Sequence, residues 1–162
     1  WTRSERSAMA TAPVWCQRPR LDQGALRLPD STPPKPHVLA VDDEEHITEL
    51  VAMALGIHGF EVERVGSGRA ARAALEASRP DLVLLDISLP GMDGNEILAH
   101  IRDDEHLRLL PVIALTAHAM AGDREKYLAA GFNDYITKPI VDETLLLKAM
   151  EKWIAKAREG AI

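Results

Sequence analysis

The pattern of hydrophobic and polar positions changes at residue 37, where short apolar runs begin to alternate with amphipathic stretches. The apolar runs are rich in β-branched and large aliphatic side chains, which favours strands at residues 38–41, 61–65, 82–85, 112–115 and 134–136. The amphipathic stretches predict helices at about residues 45–57, 67–78, 94–102, 121–130 and 142–158. The chain from residue 37 onward therefore alternates strand and helix.

Strands that are joined by helical crossovers must run parallel, and right-handed crossovers then place helices on both faces of the sheet. The predicted fold class is therefore α/β, a doubly wound parallel sheet of five strands. In such sheets ligands bind outside the carboxyl ends of the strands, at the point where the strand order reverses. Polar residues that directly follow strands are therefore the candidates for function.

Those positions hold an ordered set of reactive side chains: Asp42 and Asp43, Asp86, Thr116 and Lys138. Three carboxylates at one edge of a sheet would repel one another unless a cation neutralised them. Carboxylate, carbonyl and water ligands favour magnesium (Mg2+) or manganese (Mn2+), and magnesium takes only one or two carboxylates directly. A carboxylate can also accept a phosphoryl group, and the lysine and threonine side chains could hold its oxygens.

Each of these residues also has a plainer interpretation. Asp42 and Asp43 precede a predicted helix, where Asp is a common cap and acidic residues suit the helix dipole. Asp86 could occupy a turn, Thr116 could simply end a strand, and Lys138 could be an ordinary loop lysine. The joint occurrence of all of them after successive strands favours the phosphoryl-transfer interpretation.

Four segments resemble the receiver domains of two-component response regulators. They are VLAVDDE at 38–44, DLVLLDISLPGMDG at 81–94, PVIALTA at 111–117 and GFNDYITKPI at 131–140. The resemblance implies a flavodoxin-like sheet with strand order 2-1-3-4-5, as in the bacterial chemotaxis regulator. It places one receiver domain at residues 37–160 and implies a phosphoacceptor signalling function in a two-component system or phosphorelay.

The resemblance also implies a ligand set. Asp86 corresponds to the phosphoacceptor, Asp43 to a direct metal ligand and Asp42 to a carboxylate that positions metal-bound water. The backbone carbonyl of Ser88 would complete the protein ligands. The metal implied is Mg2+, with Mn2+ as the alternative.

Three further positions correspond to residues that respond to phosphorylation. Thr116 resembles the switch hydroxyl, Tyr135 the aromatic residue that turns inward with it, and Lys138 the ammonium that pairs with the phosphoryl group. The family pattern implies a cis peptide between Lys138 and Pro139. An ordinary core or surface position for Tyr135 remains an equal alternative. Ser88 and His118 are expected to tune the phosphoryl lifetime.

Charge and composition divide the chain at the same point. Residues 1–36 hold six Lys or Arg against three Asp or Glu and six of the ten prolines, which predicts a disordered tail or linker. The remainder has 13 basic and 22 acidic residues, so direct nucleic-acid binding is disfavoured. No apolar run is long enough for a membrane span or a signal peptide, and we expect a cytoplasmic protein without membrane contact.

The resemblance implies that the phosphoryl donor is a histidine kinase or a histidine phosphotransfer protein. An output partner is expected on the face made by the fourth helix, the fifth strand and the fifth helix. The chain would be a stand-alone receiver or the C-terminal receiver of a hybrid kinase, without steady enzymatic turnover beyond self-phosphorylation and slow aspartyl-phosphate hydrolysis. Two alternatives remain: a docking module that works without phosphorylation, and a phosphohydrolase with an aspartyl intermediate.

Overall fold

The computed structural model describes residues 34–118 and 120–160. Of the predicted tail at residues 1–36, residues 1–33 therefore lie outside the described part of the chain. The described elements, in chain order, are β1 (His37–Val41), α1 (Glu45–Ile57), β2 (Glu61–Val65), α2 (Gly68–Ser78), β3 (Leu82–Asp86), α3 (Gly94–Asp103), β4 (Val112–Thr116), α4 (Asp123–Ala130), β5 (Asp134–Thr137) and α5 (Glu143–Arg158).

The predicted elements are confirmed, with bounds that differ by at most two residues. The largest difference is at α4, which was expected from residue 121 and begins at Asp123. Gly122 has a φ of 95°, in the left-handed region that glycine adopts without strain. A right-handed helix therefore starts only after this residue.

All strand pairs in the sheet are parallel, and the strand order is β2-β1-β3-β4-β5. The predicted doubly wound fold and its strand order are thus confirmed. The register pairs Val41 with Leu85 and Asp86 with Leu115, so β1, β3 and β4 end at nearly the same level. The chain leaves β1 toward β2 on one side and returns to β3 on the other, which places the switch point between β1 and β3.

Both faces of the sheet are covered by helices. On one face, residues of β1, β3 and β4 pack against α2, α3 and α4. On the other face, the alternating residues of the same strands pack against α1 and α5. Every residue of β3 and of β4 is buried. Burial on both faces explains why these strands are continuous apolar runs in the sequence.

The apolar positions Leu145, Leu146, Met150 and Ile154 of α5 predict a stripe that packs on the sheet, and three of the four do so. Leu146, Met150 and Ile154 are buried, whereas Leu145 is 63% exposed. Successive helical positions are rotated by about 100°, so Leu145 faces away from the sheet when Leu146 faces it. The prediction that Leu145 belongs to the packed stripe was wrong.

Arg102, near the end of α3, forms hydrogen bonds with the loops that precede β4 and β5, at the opposite end of the sheet from Asp86. Its guanidinium donates to the carbonyls of Gly131 and Leu110 and to Oδ1 of Asn133, at 2.8 Å in each case. Since a guanidinium can donate five hydrogen bonds in fixed directions, one side chain satisfies several loop acceptors. Of the helices in the described part of the chain, none is both long and apolar enough to cross a membrane.

Candidate functional site

Three carboxylates meet at the carboxyl edge of the sheet. Asp42 follows β1, Asp43 is next to it, and Asp86 is the last residue of β3. One oxygen from each lies within 4.8 Å of the others. Asp42 and Asp86 are each 2% exposed, whereas Asp43 is exposed to solvent. The structure therefore brings together the three acidic residues that the sequence predicted.

The Asp42 carboxylate is held from two sides. Its Oδ1 accepts a hydrogen bond from the backbone N–H of Glu44 at 2.9 Å, and its Oδ2 accepts one from Lys138 Nζ at 3.0 Å. The N-cap residue of α1 is Glu44, not Asp42, and it makes no side-chain cap bond. Asp42 therefore shapes the turn before α1 and turns its second oxygen toward the lysine.

Asp86 is fixed in a similar way. Its Oδ1 accepts from the backbone N–H of Ser88 at 3.0 Å, and its Oδ2 accepts from Lys138 Nζ at 3.2 Å. Gly94, the first residue of α3, packs directly on the Asp86 backbone, since a Cβ there would lie 2.7 Å from the Asp86 carbonyl oxygen. The end of β3 and the start of α3 therefore fix the position of this carboxyl group.

Lys138 is the cation of the site. Its Nζ contacts Asp42 and Asp86 and also lies 3.3 Å from Oε1 of Glu44, while its side chain is only 9% exposed. The expected cis peptide between Lys138 and Pro139 is present. Sequence reasoning missed the Glu44 contact, because Glu44 occurs in a run of acidic residues whose pattern also suits a helix start.

The ionisation of these groups reflects burial and mutual attraction. Desolvation alone would lower the pKa of Lys138, but its hydrogen bonds to Asp42 and Asp86 outweigh desolvation and raise the pKa above its ordinary value. Burial raises the pKa of Asp42, against the opposing effects of its bonds from Glu44 and Lys138. Lys138 therefore remains a cation throughout the physiological range.

Thr116 ends β4 at the same edge, but its hydroxyl is bonded within the following loop. Thr116 Oγ1 donates to the His118 carbonyl and accepts from the His118 N–H, at 3.1 Å in both cases, and lies 3.2 Å from the Tyr127 hydroxyl. Sequence reasoning did not identify Tyr127, which lies on α4 and carries no motif.

Tyr135 lies on β5, half-buried against the core that α2, α3 and α4 form. Its ring centroid is 6.0 Å from that of Tyr127. In this conformation Tyr135 packs as an ordinary aromatic residue at the edge of the core, beside Tyr127. The structure thus brings the carboxylates and Lys138 together. Thr116 and Tyr135 both contact Tyr127.

The donor set fits a hard divalent cation. Oxygen atoms of three carboxylates converge, and the Lys138 ammonium beside them also contacts a fourth carboxylate, that of Glu44. The negative charge exceeds the positive charge locally, and carboxylate oxygen is the ligand type that magnesium prefers. The exposed position of Asp43 leaves an open side through which a cation with its water molecules can enter.

Comparison with known proteins agrees with this geometry. The family model described as response regulator receiver domain matches residues 38–151. The chain is 43% identical over 125 residues to the sensor protein GacS of Pseudomonas syringae pv. syringae, a match that covers 75% of this chain and 14% of GacS. It is 42% identical over 103 residues to the polar-differentiation response regulator DivK of Brucella ovis, which covers 64% of this chain and 84% of DivK.

A solved structure shows the same fold with a metal. It is the receiver domain of a sensor histidine kinase from Pseudomonas aeruginosa PAO1, with a magnesium ion coordinated in the active site cleft. The two chains are 36% identical with a TM-score of 0.68, and the match covers 75% of this chain and 98% of that domain. The chain thus spans a small part of the sensor protein from P. syringae but nearly all of this separate domain.

Proposed function

The chain belongs to the response regulator receiver domain family, and from that premise we propose that Asp86 accepts a phosphoryl group from a histidine kinase or a histidine phosphotransfer protein. Receiver domains are phosphoacceptor signalling domains. The observation that carries the assignment to Asp86 is its setting. It is a buried carboxylate held at one oxygen by the Ser88 N–H and at the other by Lys138, beside Asp42 and Asp43.

The transfer itself requires little of the protein beyond position and charge. A carboxylate oxygen of Asp86 attacks the phosphorus atom, and an O–P bond forms as the P–N bond to the donor imidazole breaks. The electron pair of that bond leaves with the imidazole, which takes up a proton. The Ser88 N–H keeps the Asp86 carboxylate oriented. Lys138 gives up its contact with the Asp86 carboxylate and binds a phosphoryl oxygen, and its positive charge offsets the new negative charge.

We further propose that Mg2+ occupies the acidic cluster, with Mn2+ as the alternative. Asp43 and Asp86 would bind it directly, Asp42 would act through a water molecule, and the Ser88 carbonyl would be the remaining protein ligand. When bound, the ion neutralises charge on the phosphoryl oxygens and orients them for in-line transfer. The exposure of Asp43 and the local excess of carboxylates support this assignment.

The signal would pass from Asp86 to an output partner through Thr116 and Tyr135. Thr116 pairs with Thr137 of β5, and Tyr135 is itself a residue of β5. A groove between β5 and α5 is lined by Tyr135 and by Leu145 and Val141, which are 63% and 89% exposed. We propose the α4, β5 and α5 face as the partner surface. Partner binding that requires phosphorylation and is weakened by Leu145→Asp supports this surface, whereas binding that ignores phosphorylation favours the docking-module alternative.

The acceptor assignment can be tested by intact-protein mass spectrometry after incubation with acetyl phosphate and magnesium. The wild-type protein is expected to gain one phosphoryl group, and Asp86→Asn or chelation of the metal should abolish the gain. Asp103→Asn is the matched control, since Asp103 lies on α3 and is exposed to solvent. If phosphorylated histidine donors also fail to modify the wild type, or if they modify Asp86→Asn equally, Asp86 is not the acceptor.

A further inference from the structure

The Thr116 hydroxyl has no hydrogen-bonding capacity to spare in this conformation. A hydroxyl offers one donor and two acceptor positions. Thr116 donates to the His118 carbonyl, accepts from the His118 N–H and pairs with the Tyr127 hydroxyl. With the first two bonds in place, the Tyr127 hydroxyl is the donor of the third. Any movement of Thr116 toward a group on Asp86 must therefore break bonds in this loop.

Tyr127 is held rigidly on the other side of this bond. It lies on α4 and is 9% exposed. Its ring packs edge-on against Phe132 with centroids 6.1 Å apart and tilted against Tyr135 at 6.0 Å. Within residues 34–118 and 120–160, Thr116 is the one hydrogen-bond partner of its hydroxyl. The ring cannot follow Thr116 without disturbing the core around Phe132.

We infer that Tyr127 is a positioning residue that holds the Thr116 hydroxyl in its loop and thereby limits how readily the domain adopts its phosphorylated arrangement. The inference rests on the proposed role of Thr116 toward the phosphoryl group on Asp86. It adds a specific opposing contact, an α4 tyrosine whose hydroxyl must lose its partner when Thr116 turns. Leaving a buried hydroxyl without a partner is unfavourable, and this cost opposes the switch.

The same contact links the site to the proposed partner surface. Tyr127 lies between Thr116 and Tyr135, and Tyr135 lines the groove between β5 and α5. A partner that moves α4 would release Thr116, and a phosphoryl group that captures Thr116 would release Tyr127. Partner binding and phosphorylation would both favour the state in which the hydrogen bond between Thr116 and Tyr127 is broken. Each event would therefore make the other more favourable.

The first test is the affinity of the full chain for beryllium fluoride, a mimic of the aspartyl phosphate, measured by calorimetric titration in magnesium buffer. Tyr127→Phe keeps the ring and removes the hydroxyl, so it removes the cost of the switch. We expect it to bind the mimic roughly three- to tenfold more tightly than wild type. Leu128→Ala is the matched control, since Leu128 adjoins Tyr127 on α4 and is 40% exposed, and this variant should bind the mimic as tightly as wild type does. Unchanged or weaker binding by Tyr127→Phe overturns the inference.

A double-mutant cycle separates the hydrogen bond from general packing. In a Thr116→Val background Tyr127→Phe should have no effect on mimic affinity, and in a Thr116→Ser background the effect should return. Amide hydrogen exchange at His118 gives the same cycle without any ligand, because its N–H bonds to Thr116. Tyr127→Phe should speed this exchange only where residue 116 carries a hydroxyl. Equal effects in all backgrounds would assign Tyr127 a packing role and overturn the inference.

Failure of the proposed function would give a different experimental result from failure of the inference about Tyr127. In that case the wild type takes up neither phosphoryl group nor mimic at Asp86, and both proposals fall. If the wild type is modified at Asp86 and Tyr127→Phe responds like wild type, only the inference about Tyr127 fails.

Discussion

At the scale of single residues, the positive charge of the buried Lys138 side chain compensates part of the negative charge of the carboxylates around it. Lys138 contacts Asp42, Asp86 and Glu44, and its side chain is 9% exposed. Removing one partner from a buried ion pair leaves the other charge without compensation, which costs more than the pair contributed. The stability of the protein without metal therefore depends on this lysine.

Replacing Lys138 with methionine should make this dependence measurable. Without magnesium, we expect Lys138→Met to lower the free energy of unfolding by about 3 kcal/mol, because Asp42 and Asp86 lose their counter-charge. Magnesium should restore more stability to this variant than to wild type, since the cation can replace the missing charge. Urea unfolding with and without magnesium measures both effects.

The matched control is Lys148→Met, which removes an exposed lysine from α5. A surface substitution of this kind changes stability by about 0.5 kcal/mol or less. If the two variants unfold at the same urea concentration, Lys138 does not neutralise the buried carboxylates.

At the scale of elements, the contact between β3 and α3 positions the acceptor. A Cβ on Gly94 would lie 2.7 Å from the Asp86 carbonyl oxygen and 2.8 Å from the Ile87 Cα, both backbone atoms that cannot move aside alone. The glycine is therefore required by close approach, although the adjacent Asp93 provides an ordinary helix cap that accepts from the Glu96 N–H.

Gly94→Ala should push α3 away from the end of β3. We expect a loss of about 1–3 kcal/mol in unfolding free energy from overpacking, together with slower phosphoryl uptake because the Asp86 backbone is displaced. Chemical denaturation and the mass-spectrometric uptake assay measure the two quantities.

Gly56→Ala is the matched control for this helix glycine. Gly56 lies in α1, and a Cβ there meets nothing within 4 Å. Alanine should stabilise that helix by about 0.5–1 kcal/mol and leave phosphoryl uptake unchanged. Stabilisation by both substitutions would contradict the close contact between α3 and β3.

At the scale of the whole molecule, metal binding and stability should be linked. The chain carries a net charge of −6, and the carboxylate cluster concentrates part of it at one edge of the sheet. A ligand that binds only the folded state stabilises it in proportion to the logarithm of its concentration. The proposed metal site should therefore be visible in global unfolding, without any phosphoryl donor.

Magnesium should raise the unfolding free energy of wild type by about 2.7 kcal/mol at one hundred times its dissociation constant. Asp43→Asn should remove most of this gain, because it deletes the proposed direct ligand. Glu49→Gln, which removes one charge from the exposed face of α1, should keep it. Thermal unfolding across a magnesium series measures the gain, and an equal response of the two variants would place the ion elsewhere.

The sequence determined the order of the elements and the identity of most of the site. Strands buried on both faces must be apolar along their whole length, so β3 and β4 are visible as continuous runs that end at Asp86 and Thr116. Parallel crossovers of fixed hand then bring those ends to one edge. Because the site residues directly follow the strands, their assembly follows from topology alone.

Tertiary structure alone decided which side chains meet across elements. Glu44 reaches Lys138 over 94 positions of sequence, Tyr127 reaches Thr116 from another element, and Leu145 points outward although its neighbour is buried. Hydrophobic periodicity identifies the buried face of an element, but it does not specify the rotation and depth at which two elements pack. Hydrogen bonds depend on tenths of an ångström in that packing, so these contacts become visible only in the folded chain.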